Sequence, residues 1–292
     1  MHRMLMGAAT AAALAMIAGV AAAQAPPPGP MVTTRIKPGM FVVFDNGGNV
    51  TVREGKDGLI VVDTKNPGAA VHAELLKNIR SMTQLPIKDV IVTHHHADHS
   101  GGAAAFKAEG AKIIAHEGYD KQIKAGYTGA DNFRPAMADV TYAKTYDVKI
   151  PGAEAKLYHF DPAHTGGDTI VYFPDLKVVA AGDEIVTVTP NVDYPYGASV
   201  LGWLDSLNQI AKLDFDTIVT GHRAIAMTRA QFDEYHQKWI TFVQRAQASA
   251  KAGTPKDKFL ASIKTDDIGW NVTGVQWTPA DRLDPLYAEM SK

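Results

Sequence analysis

The chain has 292 residues, of which 46% are hydrophobic and 21% charged, as expected for a globular protein with one large domain or two small ones. Its formal net charge of −2 and the lack of a basic run argue against a nucleic-acid partner. Cysteine is absent, which excludes disulfides, thiolate metal sites and a cysteine nucleophile.

The N-terminus has the pattern of an export signal. An apolar run over residues 8–20 follows a weakly positive start and ends in Ala21-Ala22-Ala23. This A-x-A pattern predicts cleavage before Gln24, and the run is shorter than a membrane span requires. We therefore expect residues 1–23 to be a signal peptide. The mature protein is expected to be soluble and periplasmic, with no membrane attachment after cleavage.

Residues 24–35 are rich in proline and are predicted to form a spacer, so that a single domain spans residues 36–292. Short apolar runs predict strands at residues 41–44, 49–53, 59–63, 90–93, 112–115, 157–160, 169–173, 178–181 and 217–220. Apolar residues at helical spacing predict helices at residues 68–82, 102–109, 200–213, 229–252 and 258–264, and a helix followed by a polar loop at 118–134. A weakly patterned tail follows from Asp267.

The order of these elements is similar in the two halves of the chain. Each half begins with several strands and continues with strands that alternate with helices. Such an order predicts two sheets packed face to face with helices outside, in one α/β domain.

The densest group of metal-ligating side chains follows the predicted strand at residues 90–93. His94, His96, Asp98 and His99 lie within six residues, and Gly101-Gly102 then opens a predicted helix. Imidazole and carboxylate are the non-thiol ligands that zinc prefers. The alternative, a solvated histidine-rich turn, is disfavoured because four such neighbours would repel one another on protonation.

Three further candidates follow predicted strands downstream. His164 lies in PAHTGGD, Asp183 in AAGDE and His222 in TGH. Each residue alone is an ordinary strand-end residue. The same order of apolar strand, small residues and ligand side chain nevertheless occurs three times after HxHxDH, and the combination predicts a metal site.

The motifs HHHADHSGG, AHTGGD, AGDE and TGH resemble those of the metallo-β-lactamase superfamily. The segments GNVTVREGKDGLIVVDT and HTGGDTIVYFPDLKVVAAGDEI are similar to that superfamily as well, so the resemblance covers about residues 41–222. It implies a four-layer αββα sandwich, the metallo-β-lactamase fold, with metals at one edge between the sheets. This agrees with the order of elements.

The resemblance implies two metal ions per chain, with Asp183 bridging them. It assigns His94, His96 and His164 to the first ion, and Asp98, His99 and His222 to the second. A metal-bound hydroxide would attack a carbonyl, with Asp98 and His99 as catalytic residues. We expect Zn²⁺ because the ligands are rich in nitrogen; Fe and Mn are the alternatives.

Several neighbouring residues are candidates for supporting roles. Arg223 follows His222, and its planar guanidinium suits a substrate carboxylate. Tyr194 and Tyr196 lie in a loop after Asp183, where either could line the pocket and bind an oxyanion through its hydroxyl; packing as loop aromatics is the favoured interpretation. His95 is expected to point away from the metals. Asp63 is either an acceptor for a ligating histidine or an ordinary strand-end residue.

The substrate stays open at this point. Members that hydrolyse β-lactams usually carry Cys where Asp183 stands and Lys where Val186 stands, and the His99 and Asp183 combination resembles the thioesterase and lactonase branches instead. The export signal and the HTGGDTIVYFPDLKVV segment resemble the lactamases. We therefore expect a secreted dizinc hydrolase for a small carbonyl substrate, with β-lactam hydrolysis as a native or promiscuous activity.

Three alternatives to β-lactam hydrolysis remain. Lactone or thioester hydrolysis, the chemistry of glyoxalase II, is the first. An iron-dependent oxidoreductase on the same fold and a non-catalytic metal-binding module are the others. The sequence indicates no oligomeric state.

Overall fold

The computed structural model describes residues 29–129, 132–223 and 226–292. The predicted signal peptide, residues 1–23, lies outside the described residues. Within the described ranges, no helix is both long and apolar enough to cross a membrane.

The described strands form two sheets. The first has seven strands in the order β1 to β7, which are Val32–Lys37, Met40–Phe44, Val50–Glu54, Leu59–Val62, Ile87–Ile91, Lys112–His116 and Val140–Tyr142. The second has six strands in the order β13 to β8, where β8 to β13 are Thr145–Ile150, Ala153–Tyr158, Ile170–Phe173, Val178–Ala180, Thr217–Val219 and Ala226–Thr228.

Strand direction follows the length of the connections. Strands β1 to β4 pair antiparallel in sequence order, and so do β8 to β11. Short turns join most of these pairs, whereas residues 159–169 connect β9 to β10. Strands β4 to β7 pair in parallel, as do β11 and β12, across longer connections. The helices α1 to α8 are Ala69–Met82, Ala97–Ser100, Ala103–Ala108, Glu117–Lys124, Val200–Ile210, Arg229–Lys251, Lys256–Ser262 and Ala280–Met290.

Strand β2 shows why both faces of the first sheet are covered. Met40 and Val42 face the core between the two sheets, whereas Phe41 and Val43 face the core that also contains Leu75 of α1. Side chains alternate between the faces of a strand, so an unbroken apolar run fits a sheet buried on both sides.

The second sheet is covered in the same way. Its outer face packs against a core that contains Trp203 of α5, Trp239 of α6 and Leu286 of α8. The layers are therefore helices, sheet, sheet and helices, which confirms the predicted αββα sandwich.

Several element boundaries differ from the sequence prediction. Strand β1 begins at Val32, so the end of the expected spacer, residues 32–35, is wrong: these residues pair with β2 at the sheet edge. Strands β7, β8 and β13 were not predicted, because they are short or carry alternating polar residues. The weakly patterned tail contains helix α8, whose Leu286 and Met290 are buried.

Candidate metal centre

Strand ends bring the seven predicted ligands to one edge of the sandwich. His94 and His96 follow β5, and Asp98 and His99 lie in the short helix α2. The other three come from the second sheet: His164 after β9, Asp183 after β11 and His222 after β12. Because the carboxyl ends of these strands meet at the same edge, residues far apart in sequence converge there.

The first group, which we name the three-histidine subsite, consists of His94, His96 and His164. Nδ1 of His96 lies 3.1 Å from Nε2 of His94 and 3.0 Å from Nε2 of His164. Nitrogens held at ~2.0–2.1 Å by one tetrahedral ion lie about 3.3 Å apart. The three nitrogens are therefore spaced to within a few tenths of an ångström as ligands of one ion.

The second group, which we name the carboxylate subsite, consists of Asp98, His99 and His222. Nε2 of His222 lies 3.2 Å from Nε2 of His99 and 3.2 Å from Oδ2 of Asp98. Nε2 of His99 is farther from the same oxygen, at 3.8 Å. One carboxylate oxygen and two imidazole nitrogens thus surround a common point.

Asp183 lies between the two subsites. Its Oδ1 is 3.2 Å from Nε2 of His99 and 3.3 Å from Nε2 of His222, and its Oδ2 is 3.6 Å from Nε2 of His164. Oδ1 is buried, yet no hydrogen bond of acceptable geometry reaches it from the described residues. A buried carboxylate oxygen is costly without a partner, and a divalent cation is a partner of the required charge.

The backbone around Asp183 and His99 leaves room only for glycine. A Cβ on Gly221 would lie 1.9 Å from Oδ1 of Asp183, and one on Gly48 would lie 2.4 Å from the ring of His99. The ligands are therefore packed against bare backbone, which fixes their positions.

Asp63 orients one histidine of each subsite. Its Oδ2 accepts from Nδ1 of His99 at 2.8 Å and from the hydroxyl of Thr93 at 2.9 Å, and that hydroxyl lies 3.1 Å from Nδ1 of His94. In this chain of hydrogen bonds both histidines donate from Nδ1. Their Nε2 lone pairs therefore face the metal positions. Asp63 thus lies where the predicted acceptor role requires.

The other two histidines of the three-histidine subsite are oriented by the loop at residues 185–199. Nε2 of His96 lies 2.8 Å from Oδ2 of Asp193, and Nδ1 of His164 lies 2.7 Å from the carbonyl oxygen of Asn191. These contacts make the outer nitrogens donors and leave the inner nitrogens as ligands.

The pKa values of the histidines differ between the three-histidine subsite and the carboxylate subsite. Burial lowers the pKa of His164 to about 4 and that of His94 well below its usual range, so both rings are neutral and able to bind metal. Burial would likewise lower the pKa of His222, but the carboxylates of Asp183 and Asp98 outweigh it and raise the value to about 9. The carboxylates of Asp98 and Asp183 therefore favour positive charge at the carboxylate subsite, which a proton on His222 or a divalent cation would supply.

The donor set fits two divalent cations. Three imidazoles would hold one ion, two imidazoles and a carboxylate would hold the other, and Asp183 lies within reach of both. Such a pair needs an anionic bridge at a separation of ~3.5–4 Å.

A cavity of about 320 Å³ opens onto the ligands. Asp98, Asp183 and His222 form part of its floor, together with His96 and His164. Arg223 lines the wall and adopts a left-handed backbone conformation with φ of 59°, which is uncommon outside glycine. The predicted substrate residue Arg223 thus lies beside the metal ligands.

The two predicted tyrosines occupy different positions from the one expected. Neither is among the described residues that line the cavity. The hydroxyl of Tyr194 donates to Glu289, and the ring of Tyr196 packs against His95, with centroids 5.0 Å apart. The substrate-binding position is therefore wrong for both, and the interpretation of packed loop aromatics fits them, because both side chains contact residues behind the ligands.

His95 is buried away from the metal positions, as its place in the turn predicted. Its ring contacts Tyr127, with centroids 4.3 Å apart, and burial lowers its pKa to about 2. The roles of Asn191 and Asp193 were not predicted from the sequence. The only sequence signal was their place in a long loop shortly after Asp183, and that does not show which side chain faces a histidine.

The family model described as the metallo-beta-lactamase superfamily matches residues 43–222. The chain belongs to the metallo-β-lactamase superfamily. Its members are metal-dependent hydrolases, so a metal-binding hydrolase fold is what the chain shares with them.

Curated relatives of this superfamily member differ in activity. This chain is 28% identical to 2,4-dinitroanisole O-demethylase subunit alpha of Nocardioides sp., over 80% of this chain and 70% of that protein. It is 29% identical to metallo-beta-lactamase type 2 of Elizabethkingia meningoseptica, over 51% of this chain and 60% of that protein. A hydroxyacylglutathione hydrolase of Cereibacter sphaeroides is 27% identical over 72% of this chain and 75% of its own length.

Solved structures agree on the fold. A metallo-beta-lactamase from Pontibacter korlensis superposes with a TM-score of 0.60 at 19% identity, covering 71% of this chain and 96% of that one. A sec-alkylsulfatase from Pseudomonas sp. gives a TM-score of 0.69 at 18% identity, covering 89% of this chain but only 50% of the sulfatase. At these identities the likeness concerns the fold alone.

Proposed function

We propose that the chain is a dinuclear metal-dependent hydrolase that cleaves a small carbonyl substrate. The position of Asp183 carries the proposal, because its two carboxylate oxygens face the carboxylate subsite and the three-histidine subsite respectively. A single-metal site would not need a carboxylate in that place. The predicted ligand set, His94, His96, Asp98, His99, His164, Asp183 and His222, is retained in full.

Two divalent cations, when bound, would lower the pKa of a water from ~15.7 to near 7 and polarise the carbonyl. The side chain of Asp98 is 34% exposed and lines the cavity, so it is placed to orient the attacking water. His99 is fully buried and is not among the described residues of the cavity wall. Its part in catalysis is therefore to hold the second ion.

The cavity indicates a small polar substrate. Its volume of about 320 Å³ lies at the low end of ligand pockets, ~300–1,000 Å³. The wall above the ligands carries Thr187, Thr189, Gln276 and Arg223. The guanidinium of Arg223 is suited to a carboxylate on the substrate. A β-lactam, a cyclic amide with such a carboxylate, is the first candidate.

Lactone or thioester hydrolysis is the second candidate, and one observation favours it. The group that would bridge two metal ions is the carboxylate of Asp183, and Val186 contributes an apolar side chain to the cavity wall. The resemblance places a cysteine and a lysine at these two positions in the enzymes that hydrolyse β-lactams. The hydroxyacylglutathione hydrolases among the relatives support the same alternative.

A hydrolysis screen separates the candidates. The metal-loaded protein is assayed with a chromogenic cephalosporin, an aliphatic lactone and a thioester, each with and without chelator. An aryl ether and an alkyl sulfate belong in the same panel, since relatives act on such compounds. We expect chelator-sensitive hydrolysis of at least one carbonyl substrate. If the metal-loaded protein cleaved none of the three carbonyl substrates, the proposal would be overturned.

A matched pair of variants tests the role of Arg223. Arg223→Ala is expected to raise KM for carboxylate-bearing substrates about tenfold or more, because it removes a charge-assisted contact. Arg245→Ala removes an equally charged side chain whose pair with Asp267 is remote from the cavity, and should leave KM unchanged. Equal KM values for Arg223→Ala and the wild type would rule out the contact.

We also propose that the protein is exported to the periplasm and that Zn²⁺ is its metal. The apolar segment before Gln24 and the nitrogen-rich ligand set support these two points. N-terminal sequencing of the mature chain should begin at Gln24, and metal analysis of the purified protein should find zinc. An uncleaved N-terminus, or iron in place of zinc, would contradict them.

A further inference from the structure

Two of the three histidines in the three-histidine subsite depend on the loop at residues 185–199. Asp193 accepts from His96, and the carbonyl of Asn191 accepts from His164. The carboxylate subsite has no such contact with this loop among the described hydrogen bonds. The position of the loop therefore affects the three-histidine subsite more than the carboxylate subsite.

Helix α8 holds this loop from its far side through Arg282. One guanidinium nitrogen donates to the side chain of Asn191 and to the carbonyl of Val192, at 2.5 and 3.3 Å. The other lies 3.1 Å from Oδ1 of Asp193. Oδ2 of that carboxylate binds His96, so a continuous chain of contacts runs from Arg282 through Asp193 to a metal ligand.

Glu289, at the other end of α8, holds the end of the loop. Its carboxylate accepts from the hydroxyls of Tyr194 and Ser199 and from the backbone N–H of Val200, the last at 3.1 Å. The helix therefore contacts both the middle and the end of the loop.

Helix α8 is itself anchored in the fold. Leu286 and Met290 are fully buried in the core outside the second sheet, and the hydroxyl of Tyr287 donates to the carbonyl of Thr254 at 2.9 Å. The helix lies outside the segment that matches the family model, which ends at residue 222. The contacts of Arg282 and Glu289 with the loop are thus made by a part of the chain that follows the matched segment.

We propose that Arg282 is a positioning residue that sets the metal affinity of the three-histidine subsite by holding Asp193 and Asn191 against His96 and His164. The inference rests on the proposed two-metal function. The planar fork of arginine is what allows one side chain to contact both loop residues at once. The side chain of Asp193 is only 6% exposed, so water cannot freely replace the lost partner.

The test measures metal affinity in each subsite separately, in the full chain. His222→Ala weakens the carboxylate subsite and leaves the three histidines, whereas His164→Ala does the reverse. Apo protein in each background is titrated with Co²⁺ and followed by its visible absorption. We expect Arg282→Ala to weaken binding about tenfold in the His222→Ala background, since partners behind metal ligands are worth ~10–100-fold. In the His164→Ala background, affinity should not change.

Two further variants complete the test. Arg282→Lys keeps the charge but not the fork and should show a smaller loss with the same selectivity; it also serves if Arg282→Ala does not fold. Arg245→Ala should change affinity in neither background. Equal losses in both backgrounds, or no loss in either, would overturn the inference while leaving the two-metal function intact. A wild-type protein that binds no metal would overturn both.

Discussion

Substitution of Gly221 by alanine should displace the carboxylate of Asp183 without removing any of the proposed ligands. The added Cβ would lie 1.9 Å from Oδ1 of Asp183 and 2.8 Å from the carbonyl group of Gly182. The backbone cannot retreat easily, because Gly221 N–H donates to Ile185 and its carbonyl accepts from the N–H of Asn49, at 2.9 and 2.7 Å. The carboxylate of Asp183 is therefore the group that moves.

The size of the effect follows from this distance. A contact closer than 3.0 Å is not tolerated, so the oxygen must move by more than about 1 Å. A displacement of ~1 Å at a reacting centre costs about 100-fold in rate. Overpacking at one buried position costs about 1–3 kcal/mol of folding free energy, which leaves most of the chain folded. We thus expect a loss of metal affinity and of kcat that exceeds the loss of stability.

The assay compares bound metal, kcat and Tm in Gly221→Ala and in Gly274→Ala. Gly274 is a matched control, since a Cβ there meets nothing closer than a carbonyl oxygen at 3.8 Å. The control should match the wild type in all three measurements. If Gly221→Ala bound two metals with wild-type affinity and kept its kcat, the tight packing of Asp183 against this glycine would be refuted.

Two further predictions concern buried charged side chains. Three groups donate to the carboxylate of Asp63, and Asp63→Asn leaves at least one of them without an acceptor. Metal affinity, measured by competition titration, should therefore fall ~10–100-fold. An unchanged affinity would contradict the orienting role of Asp63. Burial lowers the pKa of Lys65 from 10.5 to about 7 against the opposing charges of nearby carboxylates. The unfolded chain then binds more protons between these pH values, so stability should rise with pH across this window, by at most about 1.4 kcal/mol per pH unit. Urea unfolding of the chelated protein should show that Lys65→Met is more stable than the wild type at pH 7 and that its free energy of unfolding no longer rises with pH in this window. If the free energy of unfolding rose equally with pH in both proteins, the lowered pKa of Lys65 would be refuted.

The sequence predicted which residues form the two subsites because they lie in compact motifs. His94, His96, Asp98 and His99 are close in the chain, and the other three end apolar strands whose pattern is visible. Tertiary packing then brings the strand ends together, as the αββα order requires.

The residues behind the ligands could not be predicted in the same way. Asp193 and Arg282 contact each other across 89 positions of sequence, and neither lies in a motif. Whether a loop tyrosine lines a cavity or packs behind it also depends on its neighbours: Glu289 binds the hydroxyl of Tyr194 from a helix that the sequence pattern did not reveal. Such contacts are set by tertiary structure rather than by local periodicity.

The dinuclear centre is tested most directly by the metal content of the wild type and of Asp183→Ala after equilibration with Zn²⁺ and removal of free metal. The wild type should retain two equivalents per chain. Asp183→Ala should lose at least one equivalent and most of the hydrolytic rate, because no other described carboxylate lies between the two subsites. Two retained equivalents with an unchanged rate in this variant would contradict the bridged two-metal site.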